Sequence, residues 1–390
     1  MSGKKWISCK TFKGVFDGQG HSINGIFIGT ESDDQQYFGF WRTLSGATIQ
    51  NVNIEGVTKY DVKLYETVNV SAGGIAGKAE SGIVIQNCRV NMDISFRRGK
   101  VNSLGSVTIY THQENYFSYV GGICGWLEGG KILNCINMGS IKCYSREGSW
   151  PSQGLCLGGI AGYCEYSEII EYCENLSPLL KVVDGYTDDY GYLMKSISGI
   201  VTGISPRFCR SIIDVVSVEV EHGTRYAYVF GISNGSPTNC YSVISHYNAR
   251  SNYTNTRTHF YYGGISGSSA PLASFSNNDI LLYSDWSGRS FERGNDGSTS
   301  FSSVQMQTPA FLEELNMYSL LETDEDPLWT QDSNGGYPYV AELYQKASGI
   351  EDVVVDGIEE NVPVYNLSGQ RLTAPKKGIN IIGGKKVIVK

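Results

Sequence analysis

The acidic and histidine side chains are the residues with which this chain could cleave a polysaccharide, and their spacing is poor for it. Such cleavage needs two carboxylates facing one cleft, or a calcium ion held by aspartates beside a basic residue. Asp17 lies in a Gly-rich turn, where we expect it to hydrogen-bond its own backbone with His21 packed beside it. Other acidic residues lie at 33–34, 188–189 and 324–326, and neighbours on an extended chain point apart. The five histidines show no paired spacing on a helix, so the sequence predicts no catalytic residue, metal or cofactor.

The ten cysteines are a second group with chemical potential, as nucleophiles, metal ligands or disulfide partners. None has C-x-x-C spacing or the histidine partners of a zinc site. Five of them follow a recurring glycine by 9 to 14 residues, namely Cys88, Cys135, Cys173, Cys209 and Cys240. This spacing favours a stack of small apolar thiols in the core over the three reactive alternatives.

Aromatic side chains give the stronger signal for binding, because the chain contains 26 tyrosines. An exposed tyrosine offers apolar ring area and a hydroxyl, which suits contact with sugars or proteins. Loops also carry binding residues more often than the scaffold beneath them. We expect the candidate binding residues in long inserts between repeats, and they are Tyr116, Tyr119, Tyr186, Tyr190, Tyr192, Tyr253 and Tyr261. The alternative is that these rings flank strands and only cover corners of the fold.

A repeat of 32 to 48 residues must position these side chains. The motif GGIAG at 73–77 recurs as GGICG at 121–125 and GGIAG at 158–162, with degenerate copies before and after. The central glycines are Gly39, Gly74, Gly122, Gly159, Gly199, Gly231 and Gly264. Alternating runs such as 89–94 and 214–220 indicate strands with one face inward. Since no helical segment separates the units, their strands can stack into a parallel β-helix (β-solenoid), with the glycines turning its corners at positive φ.

The composition supports an all-β fold and excludes several kinds of partner. The chain has 47 glycines against 10 prolines, and it is rich in residues that suit turns and pleated strands. A formal net charge of −8 argues against nucleic acid and against anionic lipid, because both need a basic surface. No apolar stretch reaches the length of a transmembrane segment.

Residues 12–23 (FKGVFDGQGHSI) resemble the opening segment of proteins that carry the GLUG motif. In those proteins F-x-G-x-F-D-G-x-G-H-x-I precedes repeats similar to G-G-L-V-G, and the resemblance here covers about residues 6 to 285. The family includes bacterial adhesins and surface regions that flank immunoglobulin A proteases. The resemblance therefore implies a right-handed parallel β-helix at a bacterial cell surface.

After the repeats, residues 308–316 predict a short helix with Pro309 at its first position and an apolar face of Phe311, Leu312 and Leu315. Placed across the last coil, such a helix would cover the open sheet edge. Together with residues 329–339, this segment resembles the closing part of such β-helices. The predicted units are the β-helix at 1–305, the capping segment at 306–345 and a C-terminal β tail at 346–390.

The tail reads as two hairpins and contains VYNLSGQRL at 364–372 and KKVIVK at 385–390. It resembles the C-terminal sorting domains of the type IX secretion system. That resemblance implies export to the outer surface of a Gram-negative bacterium, with anchoring through the tail. We therefore expect a signal peptide upstream of Met1, while a small β-cap without a sorting role is the alternative.

Taken together, the repeat and the tail predict a non-catalytic, adhesin-like protein that is secreted or held at the cell surface. Its expected partner is a glycan or a host surface protein. Two alternatives stay open, because a fold does not decide a function. They are a polysaccharide-degrading lyase or glycoside hydrolase on a β-helix, and a structural spacer within a surface assembly.

Overall fold

A computed structural model gives the fold, which is almost entirely β. It describes residues 5–31, 35–62, 69–99, 116–146, 153–165, 168–185, 193–220, 225–251, 258–266, 271–284, 292–293, 298–323, 328–340, 364–365, 371–372, 378–382 and 385–389. Two large parallel sheets dominate, one of 19 strands and one of eight. The all-β, parallel β-helix prediction is confirmed.

The strands of the β-helix follow one another in short segments separated by turns. In chain order they are β1 (Lys5–Trp6), β2 (Cys9–Gly29), β3 (Tyr37–Phe38), β4 (Trp41–Val62), β5 (Val70–Gly73), β6 (Ala76–Ala79), β7 (Ile83–Gln86), β8 (Arg89–Gly99), β9 (Tyr116–Gly121), β10 (Cys124–Leu127), β11 (Gly130–Leu133), β12 (Ile136–Asn137), β13 (Ile141–Arg146), β14 (Gln153–Gly158), β15 (Ala161–Cys164), β16 (Ile169–Glu171), β17 (Glu174–Asn175), β18 (Leu179–Gly185), β19 (Leu193–Ser198), β20 (Arg210–Val220), β21 (Arg225–Phe230), β22 (Tyr241–Ser251), β23 (Thr258–Gly263), β24 (Phe275–Asn277), β25 (Leu281–Ser284), β26 (Glu292–Arg293) and β27 (Thr299–Phe301).

Each coil of the solenoid contributes one strand to the eight-stranded sheet, which we call sheet two, and the rest of its strands to the 19-stranded sheet, sheet one. Sheet two has the order β3, β5, β9, β14, β19, β21, β23, β26, so neighbours in space come from successive coils. The register follows the repeat, since Cys124 pairs with Ala76 in the coil before and with Ala161 in the coil after. The buried side chains of all coils form one continuous apolar core.

The corner between the two sheets requires glycine because neighbouring coils approach closely there. A Cβ on Gly74 would lie 2.5 Å from the Gly122 carbonyl oxygen and 2.6 Å from Val90 Cγ1. Gly122, Gly159 and Gly199 stand in the same relation to the next coil. Their φ angles lie outside the left-handed region, so the expected reason, a positive φ, is wrong. Space, and not backbone freedom, selects glycine at this corner.

Positive φ occurs instead at a second corner, where the residues are mostly not glycine. Asn51, Asn87 and Asn134 have φ of 54°, 54° and 52°, a conformation that asparagine tolerates better than most residues. Their side chains form a ladder, since Asn87 Nδ2 donates to Asn51 Oδ1 (3.1 Å) and Asn134 Nδ2 donates to Asn87 Oδ1 (3.2 Å). Later coils continue the position with other residues, namely Tyr172, Phe208, Asn239 and Ala273.

The five recurring cysteines directly follow these left-handed residues and lie buried in the core. The Cys173 N–H donates to Cys209 Sγ (3.4 Å), and the Cys209 N–H donates to Cys240 Sγ (3.3 Å). Burial raises the pKa of the Cys135 and Cys209 thiols well above the usual range. All ten cysteines are free thiols. The five recurring cysteines therefore form a buried ladder of small, weakly hydrogen-bonding side chains that fills part of the core.

A 3-10 turn (Gln305–Gln307) and a helix, α1 (Pro309–Thr323), follow the last coil. The helix packs across several coils and not only over the last one, because Phe311 meets the rings of Tyr241, Phe275 and Phe301 at 5.4–5.5 Å. These three rings come from strands of sheet one that pair with one another in series. The sequence predicted that this helix covers the open sheet edge after the last coil. Instead, the helix covers the outer face of sheet one.

A two-stranded antiparallel pair, β28 (Trp329–Thr330) and β29 (Tyr339–Val340), completes this cap. Arg210 fastens it, since its Nη1 donates to the carbonyl oxygens of Tyr337 (3.1 Å) and Pro338 (2.8 Å). Its Nη2 forms a buried ion pair with Glu174 Oε2 at 2.6 Å. The cap and the β-helix therefore share one packed and hydrogen-bonded interface.

In the C-terminal tail, four short strands form an antiparallel sheet of their own. They are β30 (Val364–Tyr365), β31 (Arg371–Leu372), β32 (Gly378–Ile382) and β33 (Lys385–Val389). The pairings β30–β31 and β32–β33 are the two hairpins expected from the sequence. No helix in the described part of the chain has the length and apolar character needed to cross a membrane.

Candidate functional site

Sheet two presents a column of outward-facing side chains that is rich in tyrosine. Strand alternation sends Val120 and its equivalents into the core, and it sends the residue before each of them to the outer face. Pairing in register stacks these outer residues from coil to coil. In order they are Tyr37, Ser71, Tyr119, Cys156, Ser196, Tyr228 and Tyr261.

A second outward column, from sheet one, meets this one across the glycine corner. It contains Lys78 in β6, Trp126 in β10 and Tyr163 in β15, which pair in register. We call the set Tyr37, Lys78, Phe117, Tyr119, Trp126 and Tyr163 the outer aromatic cluster. The sharp turn at the glycines brings the two columns together, because the chain can fold tightly only where no Cβ intervenes.

Ring contacts hold the outer aromatic cluster together. Tyr119 stacks on Tyr163 with centroids 4.9 Å apart and planes 18° from parallel. It also lies 5.5 Å from Trp126 and 5.9 Å from Phe117. Burial raises the pKa of the Tyr119 phenol well above its usual range, so this hydroxyl stays protonated. Tyr119 is the supporting ring, while Trp126, Tyr163 and Phe117 are half-buried at its margins.

Lys78 places a positive charge over two rings of the cluster. Its Nζ lies 4.7 Å from the Trp126 centroid and 5.7 Å from the Tyr37 centroid. It also pairs with Glu128 Oε2 at 2.8 Å and lies 3.9 Å from Glu80 Oε1. Burial works to lower the pKa of Lys78, but the contacts with Glu128, Tyr37 and Glu80 outweigh it and raise the pKa.

The indole nitrogen of Trp126 is the most informative polar atom of the cluster. It is buried, and it has no hydrogen-bond partner among the described residues. A buried N–H without an acceptor is costly, so such groups in native structures call for an explanation. The half-buried rings of Trp126 and Tyr163 beside this N–H offer the kind of apolar surface that the C–H face of a sugar packs against.

A smaller aromatic group lies further along the same column. Tyr228 stacks on Tyr261 with centroids 4.9 Å apart and planes 10° from parallel, and Phe230 lies 6.2 Å from Tyr228. Both tyrosines are half-buried. The outer face of sheet two therefore carries packed aromatic rings in two places, at β9 and at β21–β23.

The predicted aromatic site is only partly within the described residues. The expectation that the tyrosines lie in inserts is wrong for Tyr116 and Tyr119, which lie in β9, and for Tyr261, which lies in β23. The strands of sheet two directly precede the glycine corner, so residues that looked like insert ends belong to the scaffold. The remaining candidates, Tyr186, Tyr190, Tyr192 and Tyr253, lie outside the described residues.

Lys78, Trp126 and Tyr163 were missing from the predicted site although the sequence carried a signal for them. Each directly follows the last glycine of a repeat motif, as in GGIAG-Lys78, GGICG-Trp126 and GGIAG-Tyr163. The strand after the corner alternates with Ala79, Leu127 and Cys164 facing inward, so the residue after the glycine faces outward.

The acidic candidates do not form a site in the described structure. Asp17 Oδ1 accepts the backbone N–H of Gln19 (2.8 Å), as expected, and the side chains of Gln50 and Asn51 also donate to Asp17. These hydrogen bonds, led by that from Gln19, lower the pKa of Asp17. His21 is exposed. Residues 33–34, 188–189 and 324–326 lie outside the described residues, and the described ranges contain no metal-binding group of three or more His, Cys, Asp or Glu side chains.

Comparison with known proteins returned no significant match to a protein family, to a curated protein or to a solved structure. The resemblances to GLUG-motif proteins and to type IX sorting domains therefore stay predictions from the residues that carry them.

Proposed function

We propose that this chain is a non-catalytic, adhesin-like surface protein that binds glycans on the outer aromatic cluster. The observation that carries the proposal is the packing of Tyr119 against Tyr163 and Trp126, which holds two half-buried rings together at the surface. Rings held by strands of a rigid solenoid lose little entropy on binding, which favours an affinity based on stacking.

Support for surface location comes from the tail and from the opening motif. The strands β30 to β33 contain the segments that resemble type IX sorting domains, and residues 12–23 resemble the start of GLUG-motif proteins. Detection of the protein on intact cells of its source organism, by protease shaving or antibody labelling, would support display. Recovery only from the cytoplasm would contradict it.

A glycan array tests the binding proposal with three variants. Trp126→Ala should abolish most array signal, because it removes the largest ring of the cluster. Trp126→Phe should keep part of the signal, because it keeps an aromatic ring of smaller area. Tyr283→Ala is the matched control, since Tyr283 is an exposed aromatic residue (52% exposed) on a sheet-one strand away from the cluster.

Circular dichroism and thermal unfolding should be the same for Trp126→Phe and the unmodified protein, so a lost signal would report binding and not folding. Equal array profiles for the unmodified protein and Trp126→Ala would refute the assignment of this cluster. Hydrolysis or elimination of a polysaccharide by the purified protein would refute the non-catalytic proposal and favour the enzyme alternative.

A further inference from the structure

A groove with an apolar floor runs over the outer face of sheet one, away from the outer aromatic cluster. It has a volume of about 310 Å³ and is lined by residues of β2, β4, β8 and β13 and by Ser140. Phe27 and Val57, which pair in register, are 37% and 49% exposed and form its apolar part. Exposed apolar side chains in a concave place on a stable scaffold indicate a contact surface.

Two lysines flank this floor in one vertical column. Lys59 pairs with Ser95, and Ser95 pairs with Lys142, so the lysines are separated by two coil steps. At about 4.8 Å a step, their Cα atoms lie about 10 Å apart. In the described ranges, no carboxylate lies within ion-pair distance of either Nζ. The next residue of the column, Lys181, is paired with Glu219 at 2.7 Å, so the available cationic pair ends at Lys142.

Hydroxyl and carboxylate groups also line the groove: Asp93 continues the column of Phe27 and Val57, and Ser95 lies between the two lysines. Asp93 Oδ1 accepts the backbone N–H of Ser140 at 3.0 Å, while its second oxygen has no donor among the described residues. Ser95 and Ser140 add two hydroxyls to the lining. The groove thus offers acceptors and donors for hydroxyl groups, cations for carboxylates and an apolar surface for C–H groups.

We propose that this groove binds an acidic polysaccharide built from uronic acid residues. Such a chain carries all three features at once, namely ring C–H faces, free hydroxyls and carboxylates repeated along its length. Lys59 and Lys142 would each pair with a carboxylate, Asp93 with a hydroxyl, and Val57 with a C–H face. An acidic peptide fits less well, because the groove lies on a sheet face whose backbone hydrogen bonds are already made. A single small anion would use neither the apolar floor nor the spacing of the lysines.

The site is independent of the aromatic cluster proposed above, since the two share no residue and lie on different columns of the fold. An oligogalacturonate of about six residues is a suitable probe. Its methyl ester serves as the uncharged control ligand, and poly-glutamate represents the alternative ligand class, an acidic peptide. Binding to the full chain can be measured by isothermal titration calorimetry at two salt concentrations.

We expect the unmodified protein to bind the oligogalacturonate and to lose affinity when salt is raised. Lys142→Gln should weaken binding about 10-fold, the low end for one charge-assisted hydrogen bond, and the Lys59→Gln/Lys142→Gln pair should weaken it further. Lys131→Gln is the matched control, because Lys131 is an exposed lysine on β11, outside the groove, and it should change nothing. Trp126→Ala should also leave this binding unchanged, which separates this proposal from the first.

Three results would overturn the proposal: equal affinity for the methyl ester, an equal loss with Lys131→Gln, or tighter binding of poly-glutamate than of the oligogalacturonate. Val57→Ser tests whether binding depends on charge alone. It keeps both lysines and should still weaken the oligogalacturonate at least threefold, as expected for loss of a small apolar contact. Unchanged affinity in that variant would also count against the groove.

Discussion

Replacement of Gly74 by alanine should destabilise the β-helix, although alanine loses less backbone entropy on folding than glycine does. The added Cβ would lie 2.5 Å from the Gly122 carbonyl oxygen and 2.6 Å from Val90 Cγ1. Neither neighbour can move freely, because the Gly122 oxygen accepts the Gly74 N–H (3.1 Å) and Val90 is fully buried. Overpacking of this kind costs about 1–3 kcal/mol, and two rigid neighbours put it near the upper end. Subtracting about 1 kcal/mol for the loss of glycine's freedom in the unfolded chain leaves a net cost of about 2 kcal/mol.

Gly29→Ala provides the matched control for this experiment. Gly29 is also a strand glycine outside the left-handed region, but a Cβ there would meet its nearest atoms, Lys59 O and Phe27 Cε1, at an ordinary 3.5 Å. We expect that variant to be neutral or slightly stabilised. Thermal unfolding followed by circular dichroism should therefore show a lower midpoint for Gly74→Ala only, with a fall of about 2–3 °C for a chain of this length. A Gly74→Ala midpoint equal to or above that of Gly29→Ala would refute the close-approach explanation.

Three further outcomes follow from the core, the cap and the first coil. Arg210→Met should cost about 3 kcal/mol or more by leaving the Glu174 carboxylate buried without its cation, and a second change, Glu174→Gln, should recover part of that loss in chemical denaturation. A thiol reagent should modify one cysteine of the native protein, the exposed Cys9, and the other nine only after unfolding; rapid reaction of several native thiols would contradict the buried ladder. Because its hydrogen bonds lower the pKa of Asp17 below 3.8, the ionised side chain stabilises the fold above that pH and less as the pH falls through the folded-state pKa. The stability difference between the unmodified protein and Asp17→Asn should accordingly be larger at pH 7 than at pH 3, and an equal difference at both would argue against this role.

The sequence by itself determined the architecture and the stacking order of its coils. In a solenoid each position pairs with the equivalent position of the next repeat, so a motif that recurs along the chain also states which residues are neighbours in space. That is why the spacing of Gly74, Gly122 and Gly159 and of the following cysteines was enough to place them in vertical columns. The recurrence of strand alternation also assigned most inward-facing residues.

The tertiary structure alone decided why glycine is required and where the cap sits. Sequence cannot distinguish a glycine chosen for positive φ from one chosen for close approach, because both appear as the same residue at a turn. Here Gly74 has the second reason, while Asn87 and its equivalents take the left-handed backbone. Likewise, the apolar face of α1 predicted a packed helix, but only the fold shows that Phe311 reaches three successive coils.

The two candidate binding surfaces were also decided by the tertiary structure. Trp126 packs against Tyr119 because the chain turns sharply at the corner glycines, and Lys59 and Lys142 share one column because their coils stack with a single coil between them. The number and chemical character of the tyrosines predicted that some of them are binding residues. The sequence could not say which of them the coils bring together on one outer face, since that depends on the direction in which each strand presents its side chains.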